Sequence, residues 1–331
     1  MMRIISFLLV SQVLLVSAEL MATDFPQADI SNGVIRADFF LPDPDHGYYR
    51  GTRFDWSGVI SSLKYKGHEY FGQWFEHYDP KIHDAIMGPV EEYRTNEAGL
   101  GYDEAKTGGT FIRIGVGVVR KPEEQTYQIF NTYDIVDPGR WSVRKGPDWI
   151  EFTHDLRDGS GYAYVYTKKV QLVENKPELV LEHTLRNTGR RLIETAQYNH
   201  NFFVIDHQPT GPDFVVKFPF EVRARQDLKG VARTSGAQLE YSRQMEKDES
   251  VFTELEGFGA GAQDYDFRIE NQKVGAGVRI RGDRPVTKLN FWCMRTTLCP
   301  EPFIELKLGP GEASRWIIHY EFYTLPTPSA H

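Results

Sequence analysis

Only two cysteines, Cys293 and Cys299, occur in the 331 residues, which excludes a disulfide-dense scaffold. Neither belongs to a Cys-x-x-Cys pair, and no His-x-x-x-His pair is present, so the usual spacings of a zinc site are missing and neither a metal nor another cofactor is expected. Basic residues are outnumbered, 38 against 46 acidic. With no basic stripe to neutralise phosphates, nucleic acid is not an expected partner. Past the N-terminus no apolar run approaches the roughly 20 residues that a membrane span needs. There is no internal repeat, low-complexity run or Pro/Ser linker, and no alternation of strands with helices of the kind that builds a parallel sheet. Six residues of straight strand, at roughly 3.3 Å each, hold two positions about 20 Å apart, beyond disulfide reach. Two buried free thiols are therefore expected, with a bridge through a turn at 295–298 as the alternative.

What the chain does have is aromatic and turn-forming residues: 21 Phe, 17 Tyr, 29 Gly and 18 Pro. Runs rich in β-branched and aromatic residues predict strands at 34–40, 59–65, 111–119, 127–135, 149–154, 163–172, 179–186, 192–203, 214–220, 274–280, 288–294 and 316–323. Turn clusters such as Asp137-Pro138-Gly139 and Asp158-Gly159-Ser160-Gly161 separate them. The fold class expected is all-β, a large antiparallel β-sandwich in one domain over 30–325. The more polar stretch 221–256 is expected to hold a helix or a long excursion over one sheet, and 326–331 to be a loose tail. At the start, Met1-Met2-Arg3, an apolar 4–16 and a small-residue end at Ala18 or Ala22 read as a secretory signal peptide over 1–18, cleavage after 22 being the alternative. A periplasmic or secreted protein with no membrane span after cleavage is the expectation.

Three segments carry chemistry. An alternating strand ends in Asn187-Thr188-Gly189, residues suited to a tight turn because Asn and Gly tolerate positive φ, and a hairpin is expected there. The return strand carries Asn199 and His200 beside Phe202 and Phe203, an imidazole among rings that stack on a ligand and exclude water, as acid catalysis on a carbohydrate requires. The alternative is a core histidine bonded to a backbone carbonyl. The stretch 72–93 is crowded with site-type residues, among them Trp74, His77, His83, Asp84, Glu91 and Glu92, with Arg94 close behind; the alternative is a solvated loop.

The strand, the Asn-Thr-Gly turn and the Asn199-His200 strand together resemble the aldose 1-epimerase (galactose mutarotase-like) superfamily. Agreement in order extends to 51–69, which is similar to that superfamily's opening strand pair, to 168–172, and to Leu308-Gly309-Pro310-Gly311-Glu312 with the alternating strand after it. The resemblance spans roughly 30–325 and implies a galactose mutarotase-like supersandwich. It also implies acid and base chemistry at a sugar's anomeric centre, with a sugar or oligosaccharide as the partner. His200 takes the place of the acid. The base, a glutamate late in the chain, falls on Arg295 in one alignment and on Glu301 in a shifted one, with Glu305 a third option; Glu301 is preferred because Pro300 and Pro302 fix its backbone. The family's first histidine sits in a His-Gly pair that this chain lacks, leaving His83 or His77. Substrate-binding candidates are His83, Asn199, Arg94, Asp264, Arg295 and Trp74, with Asp206, His207, Asp266, Arg113 and Lys169 beyond them. An epimerase is expected to hold His200 and a carboxylate on opposite sides of one cavity. A binding module that has lost the base, with Arg295 as the sign of the loss, or a lyase or hydrolase on the same scaffold, are the alternatives.

Overall fold

The computed structural model describes residues 25–326; the signal peptide expected at 1–18 and all but the first residue of the expected tail lie outside the described residues. Within them the regular elements are almost entirely antiparallel strands, and the one helical element is a 3-10 turn at Ala262–Asp264. A ten-stranded sheet is centred on Ala276–Gly282, Ala313–Thr324, Glu178–Asn187, Ala163–Leu172 and Trp149–Arg157. Strands Ser250–Glu256, Lys288–Met294, Thr297–Leu308, Ile193–His200 and Val90–Arg94 form, with the short Arg223–Ala224, a six-stranded sheet. Smaller sheets of four and three strands complete the architecture. The fold is the expected all-β sandwich.

Period-two alternation explains the long strands. In Ala163–Leu172 the side chains of Tyr164, Tyr166, Lys168, Val170 and Leu172 are buried while those between them are partly exposed. Trp316, Ile318, Tyr320 and Phe322 repeat the pattern on Ala313–Thr324. These rows form one continuous core with Leu289, Phe291 and Cys293 of the six-stranded sheet. Strand Thr297–Leu308 is buried on both faces over its first eight residues.

Four expectations change. The single strand expected at 111–119 is a hairpin of Thr110–Arg113 and Gly117–Arg120. Asn187-Thr188-Gly189 does not close a hairpin: strand Glu178–Asn187 already has a partner on each edge, Ala163–Leu172 and Ala313–Thr324, so the chain crosses to the other sheet. The Asn187 side chain ties that crossover down, its Nδ2 donating to the carbonyls of Leu308 and Arg191 and its Oδ1 accepting from the Gly189 N–H. Residues 127–134 are loop rather than strand, and regular pairing starts only at Ile135–Asp137. The polar stretch 221–256 holds no helix but four strands, Arg223–Ala224, Ala232–Ser235, Gln238–Tyr241 and Ser250–Glu256.

Candidate functional site

Strand Ile193–His200 lies between Thr297–Leu308 and Val90–Arg94, with Tyr198 opposite Phe303 on one side and Glu92 on the other. Side chains directly opposite in an antiparallel pair share a face. Tyr198, His200, Glu92, Arg94, Glu301 and Phe303 therefore stand on one face, joined by Asn290 and Trp292 from the next strand. The other face looks into the sandwich. Pro300 and Pro302 point that way, which turns Glu301 outward from the interior of a strand.

His200 and Glu301 meet directly, Nε2 to Oε1 at 3.1 Å, and each is at most 4% exposed. The spacing corrects the expectation of a pair facing each other across a cavity. Around the imidazole is an aromatic enclosure. Phe202 stacks on it at 3.8 Å between centroids, while Phe54 and Trp292 present edges at 5.6 and 5.5 Å. Phe202 holds φ at +40°, an uncommon conformation for a bulky residue, fixed by an N–H bond to Cys299 Sγ and by the Trp74 ring stacked behind it. Burial raises the Glu301 carboxyl to about 7, against the pull of Arg53, Arg94 and Asn290. Burial, and then the nearby Arg53 charge, push the His200 imidazole well below its ordinary value. His200 Nδ1 has no hydrogen-bond partner among the described residues.

Beside this pair one carboxylate gathers three guanidiniums. Glu92 is fully buried and accepts from Arg53 Nε at 3.0 Å, Arg94 Nε at 3.0 Å and Arg113 Nη2 at 3.2 Å. Burial alone would raise that carboxyl; Arg94, Arg53 and Arg113 outweigh it and hold it far below the usual range. Tyr198 Oη also donates to Glu92 and accepts from Arg94 and Arg53. Arg113 spends its remaining donors on the carbonyls of Thr52, Ala98 and Arg53, so it clamps the loop that carries Arg53 and does not face the opening. The Arg53 guanidinium lies 4.5 Å from the Phe54 ring and 5.7 Å from that of Phe130, which is 64% exposed.

The remaining candidates divide. His83 stands at the rim, its Nε2 3.2 Å from Asp84 and its ring 4.8 Å from Phe130, so it joins the group through the Phe130 ring that Arg53 also meets. Trp74 donates Nε1–H to the Ile86 carbonyl and meets Trp292 edge-on at 5.6 Å. It also lines an open cleft of about 800 Å³ with His77, Asp84 and Arg295. Arg94 lines a second pocket of about 460 Å³ with Lys288, Phe303 and Glu305. Arg295 lies in the two-residue turn of the 288–308 hairpin, exposed, and not beside His200.

Asn199 and Asp264 are not in this group. One residue from His200, Asn199 points to the opposite face and donates to Glu91 in the sandwich interior. Asp264 accepts the Gly259 N–H from the loop before its turn, and Asp266 pairs with Arg279 on the ten-stranded sheet. Asp206 is committed to His68, at 2.7 Å, and Lys169 lies against Trp149. Arg53, Tyr198, Phe130, Asn290 and Trp292 were not singled out from the sequence, and Glu92 was named there only among the site-type residues of 72–93. The alternation of Tyr198 with His200 was the one signal that could have found a member of this set. Both cysteines are buried and free.

No family model and no curated protein matches this chain. Solved structures do. An aldose epimerase homologue from C. elegans superposes with a TM-score of 0.56 at 14% identity, over 91% of this chain and 99% of that one. A galactose mutarotase-like protein from Lactobacillus casei gives 0.54 at 12% identity, over 90% and 100%. A galactose mutarotase related enzyme from Lactobacillus acidophilus gives 0.53 at 14%, over 90% and 97%. With near-complete coverage on both sides, the chain has the galactose mutarotase-like fold.

Proposed function

We propose that this protein is an exported aldose 1-epimerase-like isomerase that opens and recloses a sugar ring, with His200 as acid and Glu301 as base. The observation that carries the reading is their contact, 3.1 Å between Nε2 and Oε1 in an aromatic, nearly dry enclosure. Mutarotation takes a proton from the anomeric hydroxyl and delivers one to the ring oxygen. Those two oxygens share one carbon, so the groups serving them belong side by side on one wall, not on opposite walls. The proton that rests on Glu301 first passes to His200 across their contact, giving imidazolium and carboxylate; Glu301 then gains the hydroxyl's proton while His200 releases its own to the ring oxygen. The C1–O5 bond breaks and C1 becomes a carbonyl. The pair ends as neutral imidazole and carboxylic acid, with the proton count unchanged, and reclosure on the other face of the carbonyl reverses the transfers.

A second reading, a sugar-binding protein without turnover, is favoured by the same contact: a pair turned to each other and at most 4% exposed must part before either group meets a substrate. Polarimetric or NMR mutarotation of fresh α-aldoses decides between them. Acceleration lost in both His200→Ala and Glu301→Gln is the outcome expected of the epimerase. Ligand shifts in the spectrum without acceleration by the intact protein would leave the binding reading.

A further inference from the structure

The charges on the wall beside His200 do not balance. Arg53, Arg94 and Arg113 stand against the single carboxylate of Glu92. The other acids are weak counterweights: Glu301, on the same face, keeps its proton up to about 7, and Glu97 meets Arg94 from a side chain that is itself 73% exposed, where screening leaves it little weight. Lys288 adds a cation at the rim, 5.1 Å from the Phe303 ring. Neutral sugar hydroxyls do not call for such an excess, and buried cations without counter-charge are costly to keep. Arg53 is the one placed to use it. Its Nε serves Glu92 and its Nη2 serves Tyr198, while Nη1 has no hydrogen-bond partner among the described residues. The guanidinium lies against Phe54, whose ring meets His200, and against the exposed Phe130.

We infer that the sugar taken here is acidic, a hexuronic acid whose carboxylate is received by Arg53. The inference rests on the reading that His200 and Glu301 meet a sugar. In a hexuronic acid the carboxylate is carried on C5, the carbon bonded to the ring oxygen that His200 protonates. An anion site next to the acid is where that carboxylate must lie when the anomeric centre is at the pair. A planar fork of N–H donors suits a carboxylate, and the flanking aromatic rings suit the face of a pyranose. A 6-phosphate or 6-sulfate shares the negative charge but holds it on a longer arm.

The test compares mutarotation of D-galacturonate and D-glucuronate with that of D-galactose and D-glucose, the 6-phosphates forming a third arm, with binding of each followed by NMR titration. Intact protein is expected to favour each uronate over its hexose in kcat/KM by about tenfold or more, the scale of one charge-assisted hydrogen bond. That ratio should shrink as salt is raised. It should collapse towards one in Arg53→Gln and survive in part in Arg53→Lys, each variant checked for folding by near-UV circular dichroism. The salt response of the intact protein stands even where a variant does not fold. Equal handling of acid and neutral sugar overturns the inference while leaving the epimerase in place, and preference for the 6-phosphate overturns the carboxylate. If no sugar is accelerated the epimerase reading falls by itself. The titrations then decide: uronate bound in preference to hexose supports the acidic-sugar inference, and uronate bound no better, or no sugar bound, overturns it.

Discussion

Lys168 reaches across the sandwich to Glu91: an ammonium from the ten-stranded sheet lies 2.5 Å from a carboxylate at the edge of the six-stranded one, both fully enclosed. His183, from the same sheet as Lys168, and Asn199, from the strand beside Glu91, complete the carboxylate's bonds at 2.9 Å each. Removing one partner strands a buried charge. Lys168→Met should therefore lower unfolding stability by about 3–5 kcal/mol, read from urea titrations. The pH response should change as well. Burial by itself raises the Glu91 carboxyl, but Lys168 and His183 outweigh it and hold the group below its ordinary 4.5. A depressed carboxyl contributes stability above 4.5 that is lost as pH falls towards its folded value, so Lys168→Met should also unfold at a higher pH on acid titration. An unchanged acid limb would mean that the pair adds no net stability.

Glu301 predicts the opposite slope. Its carboxyl is raised to about 7, so the folded protein keeps a proton that the unfolded chain has released. The stabilising effect of that proton is complete below 4.5, declines as pH rises to about 7, and is absent above. At roughly 1.4 kcal/mol per pKa unit, the change between pH 5 and pH 8 amounts to a few kcal/mol. Asp55 is raised to about 7 by burial and by Glu91, and slopes the same way, so the informative quantity is a difference between proteins. Glu301→Gln, which fills the space without ionising, should gain stability relative to the parent as pH rises from 5 to 8. Parallel stability curves would place Glu301 at an ordinary pKa.

These two carboxylates also mark how far the sequence could be read. Alternation located strand 163–172 to the residue, because one face is buried and the other partly exposed, and β-rich composition did the same for 59–65 and 288–294. Alternation failed at Cys299-Pro300-Glu301-Pro302-Phe303, where burial on both faces erases the period and two prolines imitate a turn. Resemblance singled out His200 and Glu301, which the structure brings into contact. Glu92 was named only among the crowded residues of 72–93, because what sets it apart is a convergence of Arg53, Arg94 and Arg113, and local spacing does not record that. Asn199 was misassigned for a simpler reason. One step along a strand reverses the face, so a motif that names neighbouring residues names one for the cleft and one for the core.

Cys293 and Cys299 sit on adjacent strands of one hairpin, Cys293 opposite Leu298 and Cys299 opposite Trp292, and both are fully buried. Burial pushes the Cys293 thiol up to about 12, and the Cys299 thiol well above its ordinary value. The thiolate is the reactive form, so neither should react with Ellman's reagent in the native protein at pH 8, and both should react in denaturant. Release of one equivalent without denaturant would show that the hairpin opens.

The rate of mutarotation should fall, not rise, as pH passes about 7. Glu301 and His200 lie 3.1 Å apart, and the number of protons on the two together decides what they can do. With one proton between them, transfer from the anomeric hydroxyl and to the ring oxygen converts imidazolium and carboxylate into imidazole and carboxylic acid, two stable forms. Once that proton is lost, the pair is imidazole and carboxylate. The only hydrogen His200 then has to give is its last one, which would leave an imidazolate in an enclosure of Phe202, Phe54 and Trp292. Burial sets the loss at about 7 by holding the proton on Glu301. The expected profile of kcat/KM is therefore level below neutrality and declines about tenfold per pH unit above it, and Glu301→Gln and His200→Ala should each cost about 10²–10⁴ in rate. A rate that climbs through pH 7 and levels off would mean that carboxylate and neutral imidazole form the active pair, with His200 donating from its neutral state.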